Sequence, residues 1–358
     1  MKKVKKKEKD YFLFFLKIIA ILIVVIFVFI AQRNFDAYVI RILNLCGIYV
    51  ILGVSLNLIN GFTGQFSLGH AGFMSIGAFV SALLYMSPEL KEMNYFITPL
   101  IWPFSVIQIP FFISVIAGGI IAALVGLLVG TPCLRLKGDY LAIVTFGFSE
   151  IIRIIFNNLQ SITNGPLGLK GLPAFTNLWW SWGGAIFTIF FISNLINSSY
   201  GRALKSIRED EVAAEAMGVN LFYHKVLSFI VGAFFAGIGG ALLGSLVMTI
   251  DPNTFNVSMT FQIIVIVIVG GLGSITGTVI IATIFAILME LLRVVESPMN
   301  FFGTKLPAIP GMRMLIFSII LMVVILFFKR GLMGGKEFSL KQFIKIFSRD
   351  NRVIKEGS

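Results

Sequence analysis

Apolar runs recur along this chain near residues 11–31, 39–60, 72–87, 108–131, 139–157, 178–197, 225–248, 258–270, 278–292 and 312–328, with short polar joints between them. A helix needs about 20 residues to cross the roughly 30 Å hydrocarbon core of a bilayer. So many runs of that order predict an all-α polytopic membrane protein of about ten transmembrane helices. Composition agrees: 57% hydrophobic and 13% charged residues, with mean hydropathy +0.94, exclude an ordinary soluble domain. The predicted organisation is a basic tail over 1–10, a transmembrane domain over 11–330 and an amphipathic tail over 331–358. In that tail Leu340, Phe343, Ile344 and Phe347 recur at helical spacing among basic residues. The run after Asp10 is too long for the core of a secretory signal, and reads as an uncleaved first helix.

The net charge of +12 does not point to nucleic acid. If the lysine-rich amino terminus is cytoplasmic, alternate joints hold 20 of the 29 Lys and Arg residues on that side, as orientation rules require. Both termini are then expected inside. Cys46 and Cys133 provide neither a disulfide framework nor metal-ligand spacing.

One joint is unlike the rest. Tyr200–Lys225, within the loop 198–224, carries Arg202, Lys205, Arg208, Glu209, Asp210, Glu211, Glu215 and Lys225, and must lie outside lipid. Ser206 and Glu209 read as a capping box, Glu209, Asp210 and Glu211 as an acidic first turn, and Gly218 as a left-handed stop. A helix of about three turns over 206–218 is expected, with Val212, Ala213, Ala216 and Met217 on one stripe. A solvated loop or a docking surface fits those signals.

Two glycine-rich stretches interrupt the apolar runs. The first, Asn60–Gly72, has no acidic or basic residue and includes Gly61, Thr63, Gly64, Gln65, Ser67 and His70; the second, 270–277, includes Gly270, Gly271, Gly273, Ser274 and Thr276. The runs flanking the second reach only about 20 and 22 Å, which places it inside the membrane. Non-helical backbone at that depth is tolerated where protein or a water-filled cavity surrounds it, and paired interruptions point to a translocation pathway. Tight helix packing is the plainer use of glycine; the pairing favours a pathway. The turn-rich joint 157–178 is expected to receive a partner from the far side.

Glu150 and Glu290 lie deep in apolar runs, each with an arginine three residues on, Arg153 and Arg293. Such carboxylates are functional candidates or self-neutralised pairs. His70 lacks a local carboxylate partner and reads as polar packing rather than a proton relay. No metalloprotease, nucleophile-elbow or phosphate-loop pattern occurs, so the chain reads as no enzyme, binds no cofactor or metal, and leaves any ATP to another polypeptide.

With those residues placed, four stretches resemble the M-type permease subunits of branched-chain amino acid ABC importers: SLNLINGFTGQFSLGHAGFMSIGAF at 55–79, KGDYLAIVTFGFSEIIRIIFNN at 137–158, YGRALKSIREDEVAAEAMGVN at 200–220 and VGGLGSITGTVIIA at 269–282. The resemblance implies a multi-pass protein of the bacterial cytoplasmic membrane. It implies as partners a second permease subunit, two ATP-binding subunits and an extracytoplasmic substrate-binding protein. It assigns the charged joint as the coupling helix, with Arg208, Glu209, Asp210, Glu211, Ala213, Ala214, Glu215 and Gly218 at the ATPase. Val212 departs from the Glu-Ala-Ala pattern usual there. Similar permeases serve urea and short amides, and an ion-coupled transporter using Glu150 is the alternative of another class.

Overall fold

The structure is a computed structural model. It describes residues 24–26, 28–136 and 138–296, with short stretches between 299 and 333. The basic tail 1–10, most of the first and last apolar runs and the amphipathic stretch at 340–347 lie outside the described residues.

The described chain is helical almost throughout. Helix α1 (Ala37–Asn57) runs on into a π-helical turn, Leu58–Phe62; α2 (His70–Tyr85), α3 (Pro88–Asn94), α4 (Phe111–Cys133), α5 (Asp139–Asn158) and α6 (Leu178–Asn197) follow. Two short helices come next, α7 (Ser199–Glu209) and α8 (Glu211–Ala216), then α9 (Leu221–Val247), α10 (Val257–Gly270) and α11 (Ile275–Leu291). Small polar residues start many of them: the side chains of Ser87, Asn177, Asp210, Asn220, Asn256 and Ser274 each accept a hydrogen bond from a backbone N–H of the helix that follows. Four helices among the described residues are long and apolar enough to cross a membrane: α1 with its π turn, α4, α6 and α9. Helices α2, α10 and α11 are apolar but shorter, at 16, 14 and 17 residues.

The two ends of the bundle are distinguished by what ties the helices there. At the lower end Glu211 of α8 pairs with Lys225 of α9, and the Arg135 guanidinium lies 5.9 Å from the centre of the Phe222 ring. At the upper end two-residue strands β1 (Leu169–Lys170) and β2 (Thr249–Ile250) pair antiparallel. There Asn94 exchanges two hydrogen bonds with the backbone of Lys170, and Tyr85, Phe111, Phe175 and Trp180 form one aromatic cluster, edge-to-face except for the tilted Phe111–Phe175 pair. A further hairpin, β3 (Met299–Phe301) with β4 (Thr304–Leu306), follows α11.

The core lies where α2, α4 and α9 cross. A Cβ on Gly77 would collide with the Gly237 carbonyl oxygen, one on Gly118 would lie 2.7 Å from the Gly77 oxygen, and one on Gly237 would lie 3.0 Å from the Gly118 oxygen. Three backbones therefore touch at one point, which only residues without a side chain allow. In lipid, where apolar surface alone drives no association, such close approach is what holds helices together.

Candidate functional site

The charged joint folds as two helices rather than the single one expected. Ala203, Leu204 and Lys205 carry α7 through Ser206, whose hydroxyl donates to the Ala203 carbonyl at 2.8 Å and so caps nothing. The cap is Asp210, which accepts from the N–H groups of Val212 and Ala213 at 2.9 and 3.0 Å. The expected three turns shrink to six residues, Glu211–Ala216, because an extended Asp210 ends α7 first. Gly218 does close the segment in the left-handed conformation, φ +83°, with Val219 N–H bonded back to Ala214 O. Ala214 is buried and Glu211 holds the nearly buried Lys225 at 2.5 Å, while Glu209, Ala213 and Glu215 face solvent. The expected apolar stripe is an outward surface: Val212 is 73% and Met217 84% exposed.

The two glycine stretches also differ from expectation in extent. Gly61 belongs to the π turn, in which Thr63 N–H reaches back five residues to Leu58 O at 3.2 Å, so the first non-helical segment is 63–69. In the second stretch Gly270 ends α10 and Thr276 lies within α11, which leaves 271–274 between them, with Gly271 and Gly273 at φ +107° and +80°. Ser274 caps α11, accepting from Gly277 N–H at 3.2 Å, and its hydroxyl lies 3.3 Å from that of Thr276. Leu332 N–H donates to Val269 O at 2.7 Å, closing over the same break.

The second break is tied through Asn57 to the end of α1, just before the π turn that leads into the first. The Asn57 side-chain amide donates to Ser274 O at 2.9 Å and to Thr278 Oγ1 at 2.7 Å, while its oxygen accepts from Gly273 N–H at 2.9 Å. Gly61 has to be glycine because a Cβ there would collide with Asn57 Oδ1 and Gly273 N. Sequence reading did not single out Asn57; a fully buried amide in an apolar helix was the available signal.

Arg208 then joins the breaks to the charged joint. From the last turn of α7 its guanidinium donates to Gly61 O at 3.1 Å and pairs with Glu209. A Cβ on Gly273 would lie 2.5 Å from Arg208 Nη1, and one on Gly64 would lie 2.9 Å from Arg208 Cγ. One exposed arginine thus packs against both breaks at once.

Segment 63–69 and the first turn of α2 that follows it are held by hydroxyls from three helices. Thr145 of α5 accepts from Leu68 N–H at 3.0 Å, Thr260 of α10 accepts from Ala71 N–H at 3.1 Å, and Ser55 of α1 lies 3.1 Å from His70 Nε2. Ser67 N–H bonds to Asn60 Oδ1 at 3.2 Å, and the Thr63 hydroxyl donates to Leu58 O at 2.9 Å. The other ring nitrogen of His70, Nδ1, is buried and has no hydrogen-bond partner among the described residues. Buried Gln65 has no hydrogen-bond partner among the described residues.

Glu150 and Glu290 do not join the breaks. Glu150 pairs with Arg153 at 2.7 Å on α5, and Glu290 pairs with Arg293 at 3.0 Å at the end of α11. No group of His, Cys, Asp and Glu able to hold a metal ion occurs among the described residues.

The sequence that builds this arrangement has relatives. The profile of the family described as branched-chain amino acid transport system / permease component matches residues 38–328. The chain belongs to this family. It is 31% identical over 286 residues to the high-affinity branched-chain amino acid transport system permease protein LivM of Escherichia coli (strain K12), covering 70% of this chain and 63% of that protein. The LivM protein of Salmonella typhimurium (strain LT2) is 30% identical over 280 residues, 69% of this chain and 61% of that one. The probable LivM of Methanocaldococcus jannaschii is 26% identical over 310 residues, 79% of this chain and 89% of the archaeal one. The chain spans under two thirds of the length of the first two relatives. The family comprises transport permeases, and within it this chain is LivM-like.

Proposed function

We propose that this chain is the transmembrane permease subunit of an ATP-binding-cassette importer that carries branched-chain amino acids across the cytoplasmic membrane. The observation that supports it best is Arg208: a side chain of the charged joint that inserts between both buried breaks. Force on the joint moves α7, and Arg208 transmits that movement to the 61–64 and 271–274 segments, where few helical hydrogen bonds resist it. Switching by a packed element with two discrete positions is the usual way a local push becomes alternating access. The exposed Val212 and Met217 beside Glu215 form the surface on which an ATPase subunit docks, with the lower end cytoplasmic. Ten spans, with both breaks inside the bilayer, complete the reading. A second permease, two ATPases and an extracytoplasmic binding protein form the working assembly, and ATP is bound by the partners.

The test is purification of the full chain from its native membrane in mild detergent, followed by uptake in proteoliposomes. Copurifying ATPases and a sister permease, with leucine uptake that requires internal ATP, are the expected results. Uptake driven by a proton or sodium gradient without ATPases would overturn the proposal. Val212→Glu with Met217→Glu is expected to release the ATPases and leave the melting temperature of the isolated chain unchanged.

A further inference from the structure

The connection between α2 and α4 turns its large apolar side chains outward. Phe96 is 74%, Trp102 78% and Val106 68% exposed, and Met93, Ile97 and Ile101 are exposed with them. On a surface that meets only water, such side chains occur singly; several on one short segment mark a face that meets something apolar.

The segment is held in that posture from beneath. Lys91, buried in α3, donates to the Phe104 and Ile107 carbonyls at 2.8 and 2.5 Å. The buried Tyr95 hydroxyl donates to Ile162 O, Ile101 N–H donates to Ser161 O at 3.4 Å, and Ile109 N–H donates to Leu84 O in α2 at 2.9 Å. Phe104 N–H returns to Ile101 O at 3.1 Å and Ile107 N–H to Pro103 O at 3.3 Å, which closes tight turns over 101–107. These polar groups bond into the protein while the hydrocarbon points out.

Charge and continuity decide what covers it. After Glu92 the next charged residue is Arg135, so 93–134 has none through the whole connection and the whole of α4. Helix α4 is long and apolar enough to cross a membrane, and its exposed Phe112, Ile113, Leu124 and Leu128 continue the apolar surface begun by Val106 and Ile107. A face that receives a soluble partner reversibly has a polar rim; this one passes into a membrane-spanning helix without a charged border. Tryptophan and phenylalanine at the end of such a helix are the residues of the membrane–water boundary.

We infer that 93–107 is an interfacial foot, whose Phe96, Ile97, Trp102 and Val106 side chains enter the lipid leaflet at the upper end of the bundle. The Lys91 bonds and the bond to Leu84 O join the foot to α3 and α2, so this corner of the bundle is fixed at one depth in the leaflet. The inference goes beyond the importer reading: it concerns lipid rather than the transported solute, and it holds whichever end of the bundle is cytoplasmic.

The complete importer is placed in lipid nanodiscs with Ile97→Cys or Val106→Cys carrying a fluorophore; the native Cys46 and Cys133 are buried. Lys170→Cys, at the exposed Lys170 of the same end, is the water-facing standard. Lipids with a nitroxide near the headgroup are expected to quench the labels at 97 and 106 several-fold more than the label at 170, and aqueous iodide several-fold less. Equal quenching by iodide at all three sites, with none from the lipid, overturns the foot. Shielding from iodide that appears only when the binding protein is added assigns the face to that partner and overturns it as well. Shielding from both quenchers places the sister permease over it, with the same consequence. Should the cysteine variants fail to assemble, photolabelling of the wild-type importer by a lipid with a diazirine near the headgroup decides: label within 93–107 is expected, and its absence there while α4 is labelled overturns the inference.

Discussion

Asn57→Ala tests whether the tie between the end of α1 and the second break is a coupling element or ordinary packing. The substitution removes three hydrogen bonds, but their loss is unequal. Thr278 Oγ1 still donates to Ser274 O at 2.8 Å, and that carbonyl also keeps Thr278 N–H at 3.3 Å. Gly273 N–H, buried in the break, has only Asn57 Oδ1. An orphaned buried donor costs about 1–3 kcal/mol, and each bond whose partner stays satisfied costs about 0.5–1 kcal/mol, so the sum is about 2–5 kcal/mol. By the scaling of larger domains that lowers the melting temperature by about 5–10 °C. Ser181→Ala is the matched control: it removes a buried bond from α6 to Asn44 Oδ1 at 2.6 Å and leaves that oxygen without its partner, and is expected to cost about 1–3 kcal/mol. The assay is fluorescence-detected melting in detergent, paired with leucine taken up per ATP hydrolysed in proteoliposomes. Asn57→Ala should lower that ratio several-fold at a temperature where the complex remains assembled, and Ser181→Ala should not. A melting shift of the expected size with an unchanged ratio would refute the reasoning, since the tie would then hold α1 to the second break without conveying anything.

Other substitutions separate the remaining parts. Gly77→Ala forces a methyl into the Gly237 backbone at the crossing of α2, α4 and α9; overpacking of this kind costs about 1–3 kcal/mol or more, read as a loss of folded yield and melting temperature. Glu211→Gln leaves the Lys225 ammonium, 8% exposed, without its charge partner. Because Glu211 is itself 37% exposed, the expected cost is only about 1 kcal/mol, and the signature is faster proteolysis within 210–220 rather than global melting. Lys91, buried in the short helix α3 and donating to the Phe104 and Ile107 carbonyls at 2.8 and 2.5 Å, has its pKa lowered by burial from 10.5. For a base whose folded pKa is depressed, the folded chain binds fewer protons. The penalty is complete below the folded value and fades as pH rises towards 10.5. Melting curves should therefore show the wild type gaining stability relative to Lys91→Met as pH rises through that window; a constant offset would show the ammonium to be unpenalised.

What could be read from sequence was local, and what could not was a matter of contact between distant segments. Helix positions, the left-handed stop at Gly218 and the break at 271–274 follow from apolar spacing, glycine and small polar caps, all carried by neighbours in sequence. Ser206 carries the Ser-x-x-Glu signature of a cap, which occurs equally well inside a helix; only the extended backbone at Asp210 shows where α7 ends. Asn57 and Arg208 matter through partners about 150 to 220 residues away, and nothing beside them announces it. Gly61 illustrates the limit best. Sequence marks it as a helix breaker, yet it remains helical, and its requirement for glycine comes from the backbone of Gly273 pressed against it. A breaker and a contact point leave the same letter in the chain, so conformational permissiveness alone does not locate a pathway; what distinguishes the two is whether another backbone occupies the space a side chain would need. By that criterion Gly61, Gly270 and Gly277 are contact points, each pressed against another segment's backbone.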